Sequence, residues 1–184
     1  MYRFVQHIAA LAVALAGALG ITLAAEFRSR PPHVHGLATL EIAVEDTVLA
    51  ITFRAPAINV IGFEHAPVTS EEKAALVQAN ATFSAGDRLF SAPVEAGCAQ
   101  HSSALTPIAY ETDGEDDKPN APQADYEVNY RFVCLHPNKL AWIDTSLFST
   151  LRNAQRVTAN VVTSRLQQQI ELVPGQRRIR LQPE

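Results

Sequence analysis

Two imidazoles stand two positions apart in Pro31-Pro32-His33-Val34-His35-Gly36, where the polar part of this chain begins. In an extended segment, positions i and i+2 point to the same side, so the rings of His33 and His35 can converge on one ligand. Imidazole is the commonest metal-binding side chain. Glu64 and His65 add a carboxylate and a third imidazole, in the stretch Asn59–Pro67 punctuated by Gly62 and Pro67. Zinc takes three or four ligands from His, Cys and carboxylate, and His33, His35, His65 and Glu64 satisfy that count. The plainer alternative has surface histidines at 33 and 35, with His65 packed in its loop and hydrogen-bonded to backbone.

Cys98 and Cys134 are the only two cysteines. In an oxidising compartment an isolated pair forms a disulfide. Tyr126, Val128, Tyr130, Phe132 and Cys134 share one face of an alternating run, which points Cys134 into the core. The rival reading makes Cys134 and His136 half of a metal site. Catalytic signatures are missing from the chain. There is no Gly-x-Ser-x-Gly elbow, no His-Glu-x-x-His and no phosphate loop, and pairing the cysteines leaves no thiol nucleophile. Binding rather than catalysis is the expectation.

The compartment is read from the N-terminus. Arg3 and His7 precede Ile8–Ala25, an uncharged run built mostly from Ala, Leu, Val, Gly and Ile, and Glu26-Phe27-Arg28 restores polarity. Small residues crowd the end of this run, as signal peptidase requires. Residues 1–24 are therefore expected to be a signal peptide, with an uncleaved anchor as the alternative, and residues 25–184 a single exported domain. Nothing later in the chain is apolar enough to span a membrane. The net charge is −4, which argues against nucleic acid as a partner, because phosphate binding needs clustered Lys and Arg. The basic run Arg177-Arg178-Ile179-Arg180 alternates like the solvated face of a strand.

The elements that must carry these residues follow from periodicity. Ala38, Leu40, Ile42 and Val44 alternate with polar positions. Glu45-Asp46 turns the chain, and Leu49, Ile51 and Phe53 open a second strand of a hairpin. If the first strand runs back to His33, both early histidines share the polar face with Thr39 and Glu41. Thr69-Ser70-Glu71-Glu72 is a capping box for a helix reaching about Phe83, with Ala74, Val77 and Ala81 along one stripe. Leu89–Pro93 reads as a connector and Val94–Ile108 as one strand around Cys98. The segment 109–125 is acidic, Pro- and Gly-bearing and poor in apolar residues, which predicts a mobile loop. Tyr126–Cys134 is a strand. Lys139–Arg152 suits either a helix or a strand ending near Phe148. Val157–Thr163 and Leu166–Val173 form a hairpin, and Ile179 and Leu181 close the chain. Together these predict an α+β domain, with a mainly antiparallel sheet built from hairpins and one or two short helices.

The order of several motifs carries a family resemblance. His33-Val34-His35-Gly36 runs into Ala38–Val44. Val60-Ile61-Gly62-Phe63-Glu64-His65-Ala66-Pro67 follows, then Ala96-Gly97-Cys98, Tyr130–Cys134 and Ser146-Leu147-Phe148. This order resembles the ZrgA-like family of zinc-regulated periplasmic proteins, across about residues 33–181. The resemblance implies a periplasmic protein that binds Zn²⁺ and serves zinc acquisition as an accessory to an import system. One departure stands out. The family carries a His- and Asp-rich run between its cysteines, whereas residues 109–124 here contain no histidine. Carboxylates without imidazole suit harder cations, so capture of zinc falls to His33, His35, His65 and Glu64. The alternative is an interaction module with the same fold and no metal. Export makes the first prediction: intact mass of a periplasmic extract should show a chain beginning between Ile21 and Glu26. A full-length species confined to membranes would contradict it.

Overall fold

Alternation of apolar and polar residues builds most of this molecule, and the computed structural model describes residues 34–110, 124–152 and 154–183. The expected signal peptide with His33, and residues 111–123 of the acidic loop, lie outside the described residues. Strand β1 (Leu37–Glu45) turns at Asp46, where φ is +50°, into β2 (Val48–Pro56). A short helix α1 (Ala57–Val60) and the loop after it lead to α2 (Ser70–Ser84), followed by α3 (Gly86–Leu89) and β3 (Phe90–Ser91). Then come β4 (Cys98–Thr106), β5 (Asp125–Cys134), β6 (Trp142–Thr145), α4 (Leu147–Thr150), β7 (Arg156–Val162), β8 (Gln167–Leu172) and β9 (Arg178–Arg180).

Six strands form one sheet in the order β4-β5-β2-β1-β7-β8, and β3-β6-β9 form a second, smaller sheet. Every ladder is antiparallel except β1 with β7, which runs parallel from Leu37 opposite Arg156. The fold is α+β and mainly antiparallel, as the periodicity indicates. One face of the large sheet is the core: Leu40, Ile42, Ile51, Phe53, Val128, Tyr130, Val157 and Val161 are all fully or almost fully buried. The opposite face carries polar rows. Gln169 donates to Asn160 and Asn160 to Glu41 across three strands, and Thr52 donates to Asn129.

Helix α2 covers the buried face. Its capping box is formed: Thr69 Oγ1 accepts from the Glu72 amide at 3.1 Å, and Glu72 Oε2 accepts from the Thr69 amide at 3.0 Å. The buried stripe differs from the expected one. Ala74, Val77 and Ala81 face solvent, while Leu76, Ala79 and Phe83 turn inward. The larger side chains decide the rotation, because Phe83 stacks on Phe53 at 5.1 Å and meets the edge of Tyr126 at 5.2 Å. The Tyr130 hydroxyl donates to the Phe83 carbonyl at 2.7 Å. Gly86 leaves room for that tyrosine, since a Cβ on Gly86 would lie 2.5 Å from the ring.

Several boundaries also shift. Leu89–Pro93 is more than a connector, because Phe90 and Ser91 pair with Thr145 and Asp144. The 139–152 segment is both things in turn, strand β6 and then helix α4. At the end of the acidic segment, Ala124 is buried and Asp125 already pairs with Pro56 in the sheet. In the small sheet, Arg178 grips both oxygens of Asp144 at 2.8 and 2.9 Å and lies 3.8 Å over the Trp142 ring.

Cys98 and Cys134 are bonded and stand opposite each other on β4 and β5. The thiolate required for the Cys134–His136 metal alternative is therefore consumed. The bond closes a loop of sequence separation 36, for which chain entropy gives about 4 kcal/mol. Replacing both cysteines with Ala should lower the unfolding free energy by roughly that amount in urea. An unchanged midpoint would contradict it. A second expectation concerns pH. The Arg178 bonds, with Arg177 adding charge, hold the Asp144 carboxyl below its usual range against a smaller opposing effect of burial. A depressed folded value stabilises above the unfolded value of about 3.9 and is lost as pH falls through the folded one. Asp144→Asn should thus be less stable than wild type at neutral pH, with the gap narrowing below about pH 4. Urea unfolding followed by Trp142 fluorescence reads this, and a gap that does not narrow would contradict it.

Candidate metal centre

The chain reaches β1 through a turn rather than an extended lead. The Leu37 amide donates to the Val34 carbonyl at 3.1 Å, and Gly36 has φ +83°. Positive φ at the third residue of such a turn favours glycine, and Gly36 supplies it. His35 sits at the apex, exposed. The expected backward extension of the strand to His33 therefore stops at Leu37. His33 lies outside the described residues, so its alignment with His35 is not described.

Glu64, the carboxylate among the predicted ligands, follows β2 in the chain. After β2, Pro56 directs the chain into α1, and Gly62 at φ +95° turns it again. The Arg152 side chain crosses over Gly62, 3.7 Å from where a Cβ would stand. This path brings Glu64 Oε2 to 3.4 Å from His35 Nε2. That separation is ion-pair contact, longer than a good hydrogen bond. The other oxygen, Glu64 Oε1, is enclosed and has no hydrogen-bond partner among the described residues.

His65 faces elsewhere. Its Nδ1 lies 3.0 Å from the Ala66 carbonyl oxygen and its Nε2 3.6 Å from Glu72 Oε1, and Phe63 stacks on its ring at 5.1 Å. Glu72 is held below the usual carboxylate range chiefly by the Thr69 amide, then by that of Val68. His65 thus docks on the start of α2. Of the four predicted ligands, the structure brings together His35 and Glu64, and it places His65 on Glu72. Among the described residues no group of three or more His, Cys, Asp or Glu side chains gathers in one place.

Beneath the pair lies a buried polar residue that the ligand count missed. Asn59 Oδ1 accepts from the Gly36 amide at 3.0 Å, and Asn59 Nδ2 donates to the Leu37 carbonyl at 2.8 Å. Its own carbonyl accepts from the Arg152 amide at 2.7 Å. The signal available was an asparagine set in the apolar run Ala57-Ile58-Asn59-Val60-Ile61, a polar group that burial obliges to find partners.

Residues 32–181 match the model of the ZrgA family, described as zinc uptake proteins. The chain belongs to the ZrgA family. No curated protein matches it. Within this ZrgA-family chain, an imidazole and a carboxylate in contact are a donor set that zinc accepts. The enclosed oxygen of Glu64, without a hydrogen-bond partner among the described residues, is an atom a cation would satisfy. Among the described residues no helix is long and apolar enough to cross a membrane.

Proposed function

We propose that this ZrgA-family protein is exported to the periplasm, where it binds one Zn²⁺ and serves zinc acquisition as an accessory to an import system. It acts by binding and not by catalysis. Zinc is the cargo. His35 and Glu64 hold it, His33, two residues before His35, is the candidate for a further position, and His65 would have to leave Glu72 to join them. The observation that carries this reading is Glu64, with one oxygen 3.4 Å from His35 and the other enclosed without a partner among the described residues. Family membership supports the choice of metal. The uncharged N-terminal run and the Cys98–Cys134 bond support an exported, oxidising setting.

The rival is an interaction module of the same fold without metal. It is favoured by the lack of any three-ligand cluster among the described residues. Calorimetry with zinc separates the two. One site per chain is expected, weakening as pH drops below about 6.5, where free imidazole gains its proton. His35→Ala combined with Glu64→Gln should abolish binding, whereas deleting residues 111–123 should leave the stoichiometry unchanged. Failure of the wild type to bind zinc at micromolar concentration, or undiminished binding by the double variant, would favour the interaction module.

A further inference from the structure

We propose that Asn59 is the positioning residue of the His35–Glu64 pair, an inference that rests on the metal-binding reading of those two side chains. The basis is a missing strand. The β1–β2 ladder begins at Thr39 opposite Arg54, and β2 departs into α1 after Pro56. On that side, Gly36 and Leu37 have no backbone neighbour in the ladder. The carboxamide of Asn59 takes its place, with Oδ1 accepting from Gly36 and Nδ2 donating to Leu37. A carboxamide offers the same acceptor and donor as a peptide group, so it continues the sheet by one step.

On the opposite side the backbone completes the clamp. The Gly36 carbonyl accepts from the amides of Gln155 at 2.8 Å and Arg156 at 3.1 Å, just ahead of the β1–β7 ladder. The turn that presents His35 is held from both sides, by chain on one and by a single side chain on the other. That side chain belongs to the segment that goes on to deliver Glu64. Asn59 therefore sets the position of one ligand's turn relative to the strand of chain bearing the other. Its burial, at 3% exposed, keeps water from replacing either bond. Asp would keep the acceptor and lose the donor, and Ala would lose both.

The test compares Asn59→Ala and Asn59→Asp with Thr145→Ala. Thr145 is the other buried polar residue among those described, and it accepts from the Leu147 amide at 3.2 Å, away from the pair. Zinc affinity is measured by competition with a chromogenic chelator. NMR of the zinc-free protein reads the proximity of the His35 ring to the Glu64 side chain. Asn59→Ala should weaken zinc binding about ten- to hundredfold, the scale of losing a supporting partner of a metal ligand. It should also lose the His35–Glu64 proximity. Thr145→Ala should lose thermal stability while keeping both wild-type affinity and that proximity. Should Asn59→Ala fail to fold, Asn59→Asp carries the comparison in both measurements. Wild-type affinity in the folded Asn59 variant would overturn the proposal, as would equal weakening by Thr145→Ala. Absence of zinc binding by the wild type would refute the metal-binding reading. The NMR proximity then decides the role of Asn59: loss in the variant supports positioning, and persistence overturns it.

Discussion

The parallel ladder between β1 and β7 makes one sheet out of two separate parts of the chain. Every other pairing in the large sheet is antiparallel, β1 with β2 and β7 with β8 through tight turns. The β1–β7 register, from Leu37 opposite Arg156 to Ala43 opposite Val162, joins the β7–β8 hairpin to the other four strands of the large sheet. It also completes the core. Leu40 and Ile42 meet Phe53 and Ile51 on one side and Ala159 and Val161 on the other, so both remain at or below 2% exposed. A contact of such sequence separation is costly to form early, because loop closure precedes its reward.

The candidate centre grows from the first rung of that ladder. The paired carbonyl of Gly36 is the step before Leu37, and the exposed turn carrying His35 follows from it. Glu64 approaches from a segment tied to the same place through Asn59 and Arg152. A flexible turn would present the imidazole in many directions, and the entropy lost on fixing it would be charged against metal affinity. The hydrogen bonds at Gly36 and Leu37 hold the lower half of the turn and would reduce that loss, while His35 at the apex stays exposed.

Period-two patterning made the hairpins β1–β2 and β7–β8 and strand β5 legible from the residues, because each has one buried and one wet face. The capping box of α2 was equally legible, since Thr69 and Glu72 are read locally. The rotation of α2 was not. Alanine and valine recur on one side of that helix, but the ring of Phe83 needs Phe53 and Tyr126, which are distant in sequence. Strand β3 has two residues and α4 has four, too few to show a period. At the centre, residue type and spacing marked His33, His35, His65 and Glu64 as one set, and of these His35 and Glu64 meet. The extended lead into β1 failed because Gly36 after His35 is a turn signal that outweighs strand parity. The docking of His65 on Glu72 depends on how the loop returns to α2, which no spacing rule encodes.

The hairpin of β4 and β5 is stapled at the end opposite its connection. Cys98 faces Cys134 at one extremity, Thr106 faces Glu127 near the other, and the acidic stretch joins the strands there. A one-residue slip at the cysteines would separate them from their facing positions, so the covalent bond fixes the alignment at that end, while the ladder shifts register once between Gln100 and Ser102. In general, doubling the length of a loop costs only about 0.6 kcal/mol, little against the bond and the ladder together. A change of length between the strands would therefore leave the bonded end of the hairpin, Cys98 opposite Cys134, where it is.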